Sequence, residues 1–218
     1  MRTFIRLKNR KPRKLPPEFG GINDIRYADE LVETFLQRFT RPGDVVFDPF
    51  AGFGTTLLVA EAMNREAWGV EFDEQRVAYI RSLLREPTCI IHGDSRELAR
   101  YDLPPFDFSI TSPPYMTAHD DPMHALANYT TPTEGYQTYL QQLQTIYTQM
   151  LPLMKPDAKV VLEVSNLKSE SGITTLAWDV ARAVGAVLRF EGEIVIGWDY
   201  YDYGYDHSYC LMFSRPDN

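Results

Sequence analysis

An α/β fold is predicted for this chain, a mostly parallel sheet carrying helices on both faces, and three observations predict it. Strand-like and helix-like apolar patterns alternate along most of the sequence, a glycine-rich turn follows the first strong strand, and the last two apolar runs are joined by too few residues for a crossover helix. At 218 residues, with 44% hydrophobic and 24% charged residues, the chain can bury one substantial core. No run approaches eighteen apolar residues and the N-terminus has charges but no apolar segment. Neither a membrane span nor a secretory signal is expected, and the expected location is cytoplasmic.

The elements follow in order. After Pro16-Pro17, residues 28–39 place Leu31, Val32, Phe35, Leu36 and Phe39 on one helical face, and Pro42-Gly43 stops that helix. A strand over 45–47 is followed by a helix over 55–63, a strand over 67–71, a helix over 74–84 and strands over 88–92 and 106–111. In the second half Tyr136, Tyr139, Leu140, Leu143, Ile146, Tyr147, Met150 and Leu151 recur at helical spacing, so a long helix precedes a strand over 159–164. A helix over 173–184 comes next. The runs 192–198 and 208–213 then pair as an antiparallel hairpin, which makes seven strands in all.

Charge is uneven. Residues 1–14 hold Arg2, Arg6, Lys8, Arg10, Lys11, Arg13 and Lys14 and no acid, so the rest of the chain carries −15 against −8 for the whole. Residues 1–17 read as a basic arm on an acidic body, either a phosphate-binding device or a solvated, partly disordered tail. Cys89 and Cys210 sit in apolar runs without metal-ligand spacing, so buried free thiols are expected, with a disulfide as the alternative. No metal is implied.

Two segments carry the chemistry: Asp48-Pro49-Phe50-Ala51-Gly52-Phe53-Gly54-Thr55-Thr56, and about sixty residues on, Thr111-Ser112-Pro113-Pro114-Tyr115. A Gly-x-Gly turn after an apolar strand occurs in many nucleotide-binding folds, and Ser-Pro-Pro-Tyr alone could be a rigid turn. Together, in this order and each after its own strand, they resemble the cofactor loop and catalytic loop of the S-adenosylmethionine-dependent amino-methyltransferases of the N4-cytosine/N6-adenine DNA methylase family. The resemblance covers roughly residues 24–214. It implies a class I, Rossmann-like methyltransferase fold, S-adenosylmethionine as cofactor, and methyl transfer to an exocyclic base amine. Residues 18–218 are then one methyltransferase domain, with no separate target-recognition domain expected.

A glycine-rich loop lets backbone approach a ligand closely at the carboxyl edge of a doubly wound sheet. By resemblance Gly52 and Gly54 wrap the methionine part of the cofactor, Thr55 and Thr56 at the helix N-terminus face its carboxylate, and Asp48 and Phe50 lie near it. Glu71 ends the next strand, where an acid can accept from both ribose hydroxyls. Asp94 ends the third, where the resemblance places the adenine amino group; Asp94 or Ser95 could equally cap the short helix that follows.

The catalytic segment answers a chemical difficulty. The lone pair of an exocyclic amine is delocalised into the base ring, so the nitrogen must be bent toward tetrahedral geometry before it can attack. Two hydrogen-bond acceptors for its N–H groups do this, and Ser112 Oγ and the Pro113 carbonyl are the candidates, held by the stiffness of Pro113 and Pro114. Tyr115 offers a flat face to an extruded base, a contact of about 1–3 kcal/mol in nucleic-acid proteins. Among relatives Asn or Asp is usual at the Ser112 position for adenine N6 and guanine N2, whereas Ser-Pro-Pro-Tyr resembles the cytosine N4 type.

The expected partner is nucleic acid, DNA ahead of RNA, met by Arg6, Lys8, Arg10, Lys11, Arg13 and Lys14; a homodimer or a specificity partner could complete recognition. The alternatives are an RNA base methyltransferase (guanine N2, adenine N6 or cytosine N4) and a non-catalytic cofactor-binding subunit. Two regions are free to read a target. Residues 116–133 suggest a loop closing over substrate or a disordered insertion. The turn from Asp199 to His207 holds four tyrosines that could stack bases or pack across strands. His119, His124 and His207 are candidate polar contacts, and His92 reads as structural.

Overall fold

The structure, a computed structural model, describes residues 2–19, 26–116, 118, 135–170, 172–201 and 204–217. Its elements are β1 (Phe4–Leu7), α1 (Asp29–Phe39), β2 (Val45–Asp48), α2 (Thr55–Ala62), β3 (Glu66–Glu71), α3 (Glu74–Leu83), β4 (Ile90–His92), β5 (Phe106–Thr111), α4 (Tyr136–Met150), β6 (Met154–Val164), β7 (Leu167–Ser169), β8 (Gly172–Thr174), α5 (Leu176–Gly185), β9 (Arg189–Trp198) and β10 (His207–Ser214). Eight strands form one sheet in the order β1-β9-β10-β6-β5-β2-β3-β4, and β7 and β8 form a separate small hairpin. β10 is antiparallel to both neighbours and every other pairing in the large sheet is parallel.

Burial on both faces explains the near-continuous apolar strands. All four residues of β2 are buried, and along β6 Val160 and Leu162 face one core while Val161 faces the other. One core lies under α1, α2 and α3, where Leu31, Val32, Phe35 and Leu36 are buried and Phe39 stacks on Phe108 with ring centroids 5.8 Å apart. The other is closed by α4 and α5, with Leu143, Ile146, Tyr147 and Met150 packed against Phe106, Leu162 and Phe213. Helices thus cover both faces, and the final antiparallel hairpin is present.

Three expectations need correction. The large sheet has eight strands, not seven, because Phe4–Leu7 pairs in parallel with β9, Leu7 opposite Trp198. The basic arm of residues 1–17 therefore begins as part of the sheet. The helix expected over 173–184 starts at Leu176, because Ile173 and Thr174, both β-branched, pair back with Lys168 and Leu167. The strand expected over 88–92 shortens to Ile90–His92, with Pro87–Cys89 forming a 3₁₀ turn instead. Cys89 and Cys210 are buried free thiols. Burial, with Glu61 adding to it, pushes the Cys89 thiol up to about 12, and burial followed by Glu163 raises Cys210 well above its usual value. Among the described residues no helix is long and apolar enough to cross a membrane.

Candidate active site

The carboxyl ends of β2, β3, β5 and β6 bring the candidate residues to one edge of the sheet, as an open α/β sheet does at the point where strand order reverses. In the glycine-rich turn Gly52 has φ +57° and Gly54 φ +78°, both in the left-handed region. A Cβ on Gly54 would meet Ile80 Cγ1 at 3.0 Å, so this glycine permits close packing of the turn on α3. A Cβ on Gly52 would meet only the Phe50 carbonyl, at 3.8 Å, so the space beside Gly52 is not filled by the described residues. Thr55 Oγ1, at the start of α2, is buried and has no hydrogen-bond partner among the described residues.

Glu71 is 5% exposed, and its carboxylate accepts from the Gly52 N–H at 2.7 Å and the Asp73 N–H at 3.0 Å, with Arg76 Nη1 at 3.8 Å. Burial raises its pKa against the pull of these donors. Two N–H bonds leave further lone pairs available, since a carboxylate has about four acceptor sites. Asp48 is fully buried. Its Oδ1 accepts from the Phe50 N–H (2.9 Å) and from Thr111 Oγ1 (2.6 Å), while the Tyr27 hydroxyl lies 3.4 Å from Oδ2 and also hydrogen-bonds Thr56 Oγ1. Burial raises the Asp48 pKa too. Asp48 therefore ties the first turn to the residue just before Ser112. Phe50 is buried among Phe47, Val70 and Leu98.

Asp94 behaves as the cap that the sequence allowed. Its side chain accepts from the Arg96 N–H at 2.8 Å and pairs with the Arg96 guanidinium through both oxygens. Burial opposes ionisation, yet the Arg96 bonds hold this carboxyl below its ordinary value. Ser95 Oγ donates to the Pro49 carbonyl, which ties the end of β4 to the glycine-rich turn.

Ser112 Oγ donates to Glu163 Oε2 at 3.0 Å; the Tyr115 hydroxyl donates to the same oxygen at 3.0 Å and the Tyr201 hydroxyl to Oε1 at 3.1 Å. The Tyr115 hydroxyl also accepts from the Ser165 N–H at 3.1 Å, so the half-buried ring is pinned in place. The Pro114 carbonyl is taken by the Tyr139 hydroxyl at 2.8 Å, whereas the Pro113 carbonyl accepts no hydrogen bond among the described residues. Sequence inspection does not single out Glu163, the hub of this cluster, 3% exposed. Its signal was a lone acid in the apolar run Val160-Val161-Leu162-Glu163-Val164.

The turn after β9 is less open than its composition suggests. Tyr201 stacks on Trp198 at 5.7 Å besides donating to Glu163, and His207 bonds Asp206 and Tyr209. His92 Nε2 lies 3.1 Å from the Phe72 carbonyl. Asp202 and Tyr203, and all of residues 117–133 except Ala118, lie outside the described residues, so the loop reading and the roles of His119 and His124 stand apart from this geometry. Among the described residues no cluster of three His, Cys, Asp or Glu could hold a metal ion. Of the basic candidates, Arg6, Lys8, Arg10 and Lys14 are exposed, and Lys11 and Arg13 are half-buried. Arg13 donates to the Phe53 carbonyl in the glycine-rich turn at 2.8 Å.

Residues 8–82, which include the glycine-rich turn and Glu71, match the family model described as DNA methylase, the N6/N4 methyltransferases. Over that segment the chain is similar to the N6/N4 DNA methylases. It is 38% identical over 60 residues to the type II methyltransferase M.BglII of Bacillus subtilis, covering 28% of this chain and 17% of that protein. It is 36% identical over 72 residues to the DNA adenine methyltransferase YhdJ of Escherichia coli, covering 33% of this chain and 24% of that one. The chain thus matches about a fifth of the length of these curated relatives. Over most of its length it resembles TrmN of Thermus thermophilus in fold, with a TM-score of 0.63, 19% identity, and coverage of 92% of this chain and 52% of TrmN. The fold is that of the class I S-adenosylmethionine-dependent methyltransferases.

Proposed function

We propose that this chain transfers a methyl group from S-adenosylmethionine to an exocyclic amine of a base in DNA, the N4 amine of cytosine. The observation that carries the reading is the Ser112–Glu163 contact. Because the Ser112 hydroxyl hydrogen is committed to a buried carboxylate, the outward lone pairs of Oγ can only accept. The Pro113 carbonyl, with no partner among the described residues, is a second acceptor one residue away. An amine has two hydrogens to donate, and this pair of rigid acceptors matches them, favouring a tetrahedral nitrogen.

The residues present fit the cofactor. Among the described residues, the unfilled space beside Gly52, the unpartnered Thr55 Oγ1 and the spare acceptor capacity of Glu71 meet the needs of a compact ligand with a carboxylate end and a ribose. Gly52, Gly54, Thr55 and Thr56 would hold the amino-acid end, Glu71 the ribose hydroxyls, and the Phe50 and Asp94 strand ends the base. Asp48 would act through Thr111 and the turn, its carboxylate being enclosed. The cofactor supplies an electrophilic methyl group; the chain's own residues position the amine and, by burial, exclude water. Tyr115, pinned through its hydroxyl, offers its ring to the extruded base.

Cytosine is favoured by Ser112, which stands where adenine-modifying relatives usually carry Asn or Asp. The matched family takes in both N6 and N4 amines, so the product decides. Duplex DNA incubated with the protein and isotope-labelled methyl donor should yield N4-methylcytosine on nucleoside mass spectrometry. N6-methyladenine would overturn the choice of base, and label confined to RNA would overturn the choice of DNA.

A further inference from the structure

The basic segment of the N-terminus is strapped across the edge of the sheet that bears the candidate active site. Beyond Leu7 the backbone N–H groups of Lys8 and Asn9 donate to Glu30 Oε2 (3.0 Å) and Asp199 Oδ1 (2.8 Å), and the Asn9 side-chain amide donates to the Tyr200 carbonyl (3.0 Å). At the far end Arg13 donates to the Phe53 carbonyl and to the Tyr79 hydroxyl, each at 2.8 Å, and its guanidinium lies 5.4 Å from the Tyr79 ring centroid. The Arg13 carbonyl in turn accepts from Arg26 Nη2 at 2.7 Å. The strap therefore runs from the turn after β9 to the glycine-rich turn after β2, fastened at both ends.

Its side chains divide by alternation. Asn9, Lys11 and Arg13 are half-buried, whereas Lys8, Arg10 and Lys14 are exposed and form no ion pair among the described residues. The nearby acids Glu30 and Asp199 accept from backbone N–H groups, which anchors the strap, and neither forms a direct ion pair with those cations among the described residues. Arg6 differs, since it lies in the field of the exposed Asp206. We infer that Lys8, Arg10 and Lys14 form a fixed rail for the sugar-phosphate backbone of the DNA whose base reaches Ser112. The inference rests on the DNA reading above and adds to it a named, pre-ordered contact surface.

The dimensions agree. Six residues of chain span at most about 20 Å, and one DNA strand presents a phosphate about every 3.4 Å of helix axis, so three cations can each meet a separate phosphate. Because the rail is already ordered, little backbone entropy is lost on binding. Each cation that meets a phosphate should contribute about 0.9 to the slope of log K against log salt, which corresponds to about eightfold in affinity near 0.1 M salt.

The test is binding of a short fluorescent duplex across a salt series by the parent protein and by Lys8→Ser, Arg10→Ser and Lys14→Ser. Arg182→Ser, on the exposed face of α5, serves as the charge control. Each rail substitution should flatten the salt slope by about one and raise Kd severalfold, while cofactor affinity by calorimetry and melting temperature stay at parent values. Arg182→Ser should leave the slope unchanged. DNA binding with parent-like slopes in all three variants overturns the rail and leaves the DNA reading standing. Absence of duplex binding by the parent removes both, and slope changes seen only with RNA would overturn DNA as the occupant.

Discussion

At the scale of single residues, Glu163 is the least expected feature. A carboxylate 3% exposed inside a sheet is costly unless its lone pairs are met, and here three hydroxyl groups from Ser112, Tyr115 and Tyr201 donate to it. Under the proposed function its effect on chemistry would run through Ser112, which would make it a positioning residue. Glu163→Gln keeps the shape, but the amide nitrogen replaces one acceptor with a donor and disturbs the polarity of Ser112. We expect kcat to fall by about 10- to 100-fold with cofactor affinity unchanged. Parallel loss of cofactor binding and melting temperature would show that Glu163 serves only packing. Asp94 is a carboxyl whose pKa is lowered. Such a group contributes stability above its ordinary value near 4 and loses it as pH falls through the lowered value. Asp94→Asn should therefore cost about 1 kcal/mol at pH 7 and nothing in acid below both values, read as melting temperatures at the two pH values.

At the scale of elements, the two diagnostic turns are one mechanical unit. Thr111 Oγ1 reaches Asp48 Oδ1 at 2.6 Å, and Thr56 Oγ1 donates to the Ile110 carbonyl at 3.2 Å, so each turn is fixed by the strand that precedes the other. The two glycines of the first turn have separable roles. Gly54→Ala places a Cβ 3.0 Å from Ile80 at φ +78°, and should lower stability by about 1–3 kcal/mol. Gly52→Val meets little of the described protein but fills the space beside Glu71, and should abolish calorimetric binding of S-adenosylmethionine; at φ +57° a β-branched residue is strained, so its stability loss should be no smaller than that of Gly54→Ala. Equal loss of binding in both variants, after correction for folded fraction, would reject this division.

What was legible from sequence follows from the same physics. The buried parallel strands announced themselves as apolar runs, and α1 and α4 through residues spaced along one face. The turns carried their glycines and prolines openly. Glu163 and Tyr27 were not legible, because their importance lies in partners that are 51 and 29 residues away in sequence, Ser112 and Thr56. The short strands β7 and β8 were missed because three residues show no period. β1 was missed because only Leu7 of its four residues is fully buried, so charge dominated the pattern.

At the scale of the whole molecule, β1 decides where the sheet ends. It covers the edge of β9 through four parallel pairings, the Val195 N–H also donates to the Thr3 carbonyl at 2.8 Å, and Phe4 lies over Gly197 with its ring 2.9 Å from where a Cβ would stand. Deleting residues 1–7 removes one buried leucine, worth about 1.5–3 kcal/mol, and ladder bonds whose net gain is offset largely by the entropy of ordering them. A net loss of about 1–3 kcal/mol should lower the melting temperature of a chain this size by about 3–10 °C. The same deletion leaves the N–H and C=O groups of β9 beside Val195 and Ile196 open to another chain. Light scattering should therefore show association that increases with protein concentration in the truncated form and not in the parent. A truncated protein with unchanged melting temperature and constant mass would mean that β1 contributes neither stability nor edge protection, and the sheet would then be complete at β9.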